Sequence, residues 1–71
     1  MTDVHAKYDQ IERKVVYSFS FVTSSGKYIS ESGYISKAAV KEAAHFLGAT
    51  ENQMKEICAK LKAINPTAYR I

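Results

Sequence analysis

The stretch KVVYSFSFVTSSGKYISESGYIS, residues 14–36, decides how this chain folds. From Lys14 onward, β-branched and aromatic residues alternate with serine: Val15, Val16, Tyr17, Ser18, Phe19, Ser20, Phe21, Val22. A period of two is the side-chain alternation of a half-buried strand. Residues 23–27 then carry turn chemistry, with Gly26 suited to a positive φ, and Tyr28 to Ile35 reads as a second strand, so the pair forms a β-hairpin. Two registers remain open. A loop of two or four residues puts Tyr17, Phe19, Phe21 and Tyr34 on one face and Val16, Val22, Ile29 and Ile35 on the other. A loop of three residues pairs Phe21 with Ile29 and Val15 with Ile35.

Beyond the hairpin the period changes. Ser36 is a good N-cap, and Val40, Ala43, Ala44 and Leu47 fall on one face of a helix running from about Lys37 to Leu47. Gly48 stands where a helix wants a left-handed residue after its last turn. Thr50 followed by Gln53 is the signature of a capping box, so a second helix begins there. Met54, Ile57, Cys58, Leu61 and Ile64 make its apolar stripe, and Asn65 with Pro66 ends it. Residues 67–71 suit either a short C-terminal edge strand or a packed tail.

Before the hairpin, residues 1–13 are polar, with Val4, Tyr8 and Ile11 as the larger apolar positions. Spacings of four and three suit a short amphipathic helix or a mobile arm. The expected fold class is therefore α+β in a single domain of 71 residues: an arm over 1–13, a β-hairpin over 14–35 and a helical pair over 37–64 joined by a tight turn.

Composition narrows the function. A hydrophobic fraction of 46% with 24% charged residues is that of a folded domain and not of a disordered tail. Ten Lys and Arg against seven Asp and Glu leave a net charge of +3, mildly favourable for a polyanionic partner. The single Cys58 forms no intrachain disulfide, Met1 to Asp9 lacks the apolar run of a signal sequence, and no segment approaches the roughly 18 apolar residues of a membrane span. A cytoplasmic protein without membrane attachment is expected. A core this small gains from self-association, which makes a homodimer the default expectation.

Catalytic and metal chemistry find no constellation. His5 and His45 are distant in sequence, no ligand pair has zinc spacing, Glu31 and Glu42 have no visible carboxylate partner, and Cys58 on the apolar stripe reads as a buried, inert thiol. No enzyme, cofactor or metal is expected.

From Val40 to Cys58 the chain resembles the helix-turn-helix family of DNA-binding motifs. Ala44 is the small residue where two helices touch, and Gly48 is the turn glycine four positions on. Ala43, Leu47, Ala49, Met54 and Ile57 occupy the apolar places that hold the second helix against the first. With its preceding hairpin and the run from Val40 to Ala44, the chain is also similar to small nuclease-associated helix-turn-helix modules, although Ala39 stands where those usually have serine. Phe46 is bulky where the broader family is normally polar. The resemblance implies that the second helix enters the major groove of double-stranded DNA, with Thr50, Asn52, Gln53 and Lys55 at its reading end and Lys41 and Lys60 as flanking phosphate contacts. The alternative on composition is a different class: a small protein-binding adaptor or inhibitor, of the kind carried by phages and plasmids, whose hairpin edge pairs with a target sheet.

Overall fold

The second of three strands carries the fold. In the computed structural model, which describes residues 2–69, β1 (Asp3–Asp9), β2 (Lys14–Val22) and β3 (Tyr28–Tyr34) form one antiparallel sheet in the order β1-β2-β3. Helices α1 (Lys37–Phe46) and α2 (Glu51–Ala63) follow, and a single 3-10 turn (Pro66–Tyr69) ends the described chain. The architecture is α+β, with the hairpin and the helical pair where the sequence places them. Residues 67–69 are part of the 3-10 turn and not of a strand; Arg70 and Ile71, which complete the expected edge strand, lie outside the described residues.

Residues 3–9 correct the expectation for the amino-terminal segment, which is a strand and neither a helix nor an arm. Its alternation is Val4, Ala6, Tyr8 on the core side, each packed against the buried cluster, with Asp3, His5, Lys7 and Asp9 on the other. Spacings of four and three counted Ile11 into an apolar face, but Ile11 sits in the β1–β2 turn and is 94% exposed. What decides the matter is pairing: β2 offers a full row of backbone donors and acceptors, and β1 satisfies it from Asp3↔Ser20 to Asp9↔Lys14. The turn needs no glycine. Asp9 Oδ1 accepts from the amides of Ile11 (2.9 Å) and Glu12 (3.1 Å), the Arg13 amide donates to the Asp9 carbonyl (2.7 Å), and Arg13 takes the left-handed φ of 57°.

Pairing of β2 with β3 uses parts of both expected registers. Phe21 faces Ile29 and Ser18 faces Ser32, as an odd-numbered loop requires, yet Tyr17 faces Tyr34. Gly33 is the unmatched residue between them, a bulge at φ 92° that returns Tyr34 to the face of Tyr17 and Phe19. The Phe19 ring consequently lies 5.4 Å from that of Tyr34 and 6.0 Å from that of Phe21. The pair Val15 with Ile35 does not form, because β3 stops at Tyr34 and Ile35 is 61% exposed.

Both helices cover the same face of the sheet. The buried core is Val15, Tyr17, Phe19 and Phe21 from β2, Val40 and Ala44 from α1, and Ile57 and Leu61 from α2. Each of the four largest fully buried side chains, Phe21, Ile57, Leu61 and Val40, contributes about 1.5–3 kcal/mol of transfer free energy. The opposite face, with Ser18, Ser20, Ser30 and Ser32 at its centre, is left to solvent. No helix of the described residues is long and apolar enough to cross a membrane.

Because a Cβ at Gly33 meets nothing within 4 Å, its substitution tests backbone strain alone. Gly33→Ala is expected to cost about 1 kcal/mol, seen as a lower denaturant midpoint with an unchanged slope. An unchanged midpoint would mean that the bulge does not hold this register.

Candidate nucleic-acid interface

The geometry from α1 into α2 is built by capping. The Ala49 amide donates to the Ala44 carbonyl (3.0 Å) and the Gly48 amide to the His45 carbonyl (3.1 Å), the two bonds of a Schellman ending, with Gly48 at φ 100°. A Cβ at Gly48 would lie 3.9 Å from Thr23 Cγ2, an ordinary contact, so it is the positive φ and not crowding that selects glycine. Ala44 has no exposed surface, as close approach at the crossing demands.

Thr50 and Gln53 then form the expected capping box. Thr50 Oγ1 accepts from the Gln53 amide (3.2 Å), and Gln53 Oε1 accepts from the Thr50 amide (2.8 Å). The Gln53 side chain does more, for its Nε2 donates to the carbonyl of Val22 at the end of β2. Both ends of that amide are thus spent inside the fold. Gln53, half-buried, is a positioning residue for the start of α2, whereas Asn52 and Lys55 are exposed on the face opposite Ile57 and Leu61.

The six candidate residues do not form one cluster. Thr50, Asn52 and Lys55 share the first turns of α2. Lys60 is exposed but is turned by about 140° from Lys55 around the helix, and Lys41 is exposed in the middle of α1. The sequence did not reveal what lies next to the start of α2. The Gln53 bond to Val22 brings the β2–β3 turn alongside it, close enough that a Cβ at Gly48 would touch Thr23. That turn is internally tied: Thr23 Oγ1 accepts from the Lys27 amide (3.0 Å), and the Gly26 amide donates to the Thr23 carbonyl (2.9 Å). Ser24, Ser25 and Lys27 are exposed on it. No local signal finds this neighbour, because the bond spans 31 residues.

Charge at this end is mixed, with Lys27 and Lys55 against Glu51 and Glu56. Glu51 lies in the first turn of α2, where the helix dipole favours an acid. His45 and Phe46 are exposed at the end of α1, Phe46 by 88%. Elsewhere, Cys58 is half-buried and not fully buried as its stripe suggested. Burial pushes the Tyr34 hydroxyl up from its ordinary pKa, aided by the charge of Glu31 and the hydrogen bond it donates to Glu31 Oε1 (3.4 Å). On the uncovered sheet face, His5, Lys7, Asp9, Ser18, Ser32 and Gly33 are among the residues that line an open depression. No protein-family model, curated protein or solved structure matches the chain.

Gln53→Ala removes the reciprocal cap and the tie to β2 together, and a loss of about 1–2 kcal/mol in stability is expected. Asn52→Ala, one residue away on the exposed face, is expected to stay within about 0.5 kcal/mol of wild type in the same denaturation experiment. Equal effects would contradict the division between positioning and exposed residues.

Proposed function

We propose that the protein binds double-stranded DNA, presenting the amino-terminal turns of α2 to the major groove. The observation that carries this reading is the closed corner from Ala44 to Gln53. A Schellman ending runs directly into a capping box, leaving Asn52 and Lys55 exposed on a helix start that Gln53 fixes to the sheet. Asn52 has the paired donor and acceptor that suit adenine, and Lys55 suits guanine or a phosphate. Thr50, with its hydroxyl engaged in the cap, serves as a backbone-level contact at the helix N-terminus. Lys27 adds a second cation from the neighbouring turn, and Lys41 and Lys60 act at longer range. The sheet takes the place of the third helix that such corners commonly pack on.

A second reading rests on a different observation. Among the described residues, β3 leaves one edge unpaired, and only Ile29 and Tyr34 along it are less than exposed, so an extended segment of a target protein has backbone groups to pair with.

Titration of a generic duplex at several salt concentrations separates the two. DNA binding through Lys55 and its neighbours requires affinity to fall with salt, at a log–log slope of about −0.9 per phosphate contacted. Asn52→Ala is expected to cost about 1–3 kcal/mol on a preferred site while leaving non-specific binding nearly intact. Ala44→Leu overpacks the corner and is expected to lose stability and binding together. A folded wild-type protein with no salt-sensitive binding to any duplex would rule out the DNA reading and leave the β3 edge as the working surface.

A further inference from the structure

The β2–β3 turn, residues 23–27, is tied to the start of α2 by the bond from Gln53 Nε2 to the Val22 carbonyl, across 31 residues of chain. Thr23 stands so near the corner that a Cβ at Gly48 would lie 3.9 Å from its Cγ2. The turn is also braced from within. The Thr23 amide donates to the Lys27 carbonyl (2.8 Å), the Lys27 amide to Thr23 Oγ1 (3.0 Å) and the Gly26 amide to the Thr23 carbonyl (2.9 Å). Gly26 takes the left-handed φ of 89° inside this closure, and the Thr23 and Ser25 hydroxyls are 2.9 Å apart.

These bonds use the amides of Thr23, Gly26 and Lys27. Those of Ser24 and Ser25 have no acceptor among the described residues. Both serines and Lys27 are exposed, and residues 23–30 contain no acid; Glu51 and Glu56, the acids of this end, belong to α2. The tip therefore offers an anion two backbone donors, the Ser24 hydroxyl and one ammonium, all carried on a fixed scaffold.

We propose that this turn grips a backbone phosphate of the duplex beside the groove that α2 enters, an inference that rests on the DNA reading of α2. Width decides which part of the duplex it meets. A helix with its side chains is about 10–12 Å across and the major groove about 12 Å wide, so α2 fills the groove. An element packed beside the first turn of α2 then meets the phosphate wall and not the bases. Lys27 and the Ser24 and Ser25 amides are the donors on that flank. The turn adds affinity and sets register without carrying sequence information, which is left to Asn52.

Titration of two duplexes at several salt concentrations tests it, one preferred duplex selected from a random pool and one random, with thermal unfolding confirming that each variant is folded. Lys27→Ala is expected to lower the log–log salt slope by about 0.9 on both duplexes alike. Lys7→Ala, an equal loss of charge on the uncovered face of the sheet, is expected to leave the slope unchanged. Ser24→Pro removes an amide at the second position of the turn, which accommodates proline, and is expected to weaken binding more than Ser24→Ala, which removes the hydroxyl alone. The phosphate grip is overturned if Lys27→Ala keeps the wild-type slope, if Lys7→Ala lowers it equally, or if Ser24→Pro binds no worse than Ser24→Ala. An effect of Lys27→Ala on the preferred duplex alone also overturns it, since a phosphate contact is blind to sequence. In each of these cases a loss of preference in Asn52→Ala still upholds α2 as the reading element. A wild-type protein without salt-sensitive binding to either duplex overturns both.

Discussion

The inward row of β2, Val15, Tyr17, Phe19 and Phe21, is the surface on which the rest of the molecule is assembled. Isolated helices of 10 and 13 residues are marginal in water, so α1 and α2 persist only because Val40, Ala44, Ile57 and Leu61 have this row to cover. The same strand supplies backbone pairing on both sides, which makes β1 and β3 depend on it for their hydrogen bonds. Losing the ring at Phe21, which has no exposed surface, would therefore weaken sheet and helices together.

Chemistry confined to a few neighbouring residues was legible in the sequence. Ser36 caps α1, Gly48 ends it and Thr50 with Gln53 opens α2, because each of these devices acts within one turn of chain. What was not legible depends on partners far along the chain. β1 went unrecognised because Ala6 is too small to mark a core position by itself, and only its pairing with β2 completes the alternation of Val4 and Tyr8. The two registers looked exclusive because side-chain parity is strict in a regular ladder, and Gly33 breaks the ladder where one gives way to the other. At the candidate site, Asn52 and Lys55 stand exposed as read, while Gln53 is occupied by a carbonyl that sequence spacing does not reveal.

That occupied glutamine changes how the site is understood. A reading helix gains when its approach is fixed before the partner arrives, since less motion has to be frozen on binding. Gln53 supplies the fixation by joining the first turn of α2 to β2, and on the DNA reading this withdraws its side chain from base contact. Lysines are dispersed over sheet, turns and helices and the net charge is only +3, so a duplex bound as proposed would meet few of them at once. DNA affinity on this reading leans on the geometry of the corner more than on bulk electrostatics.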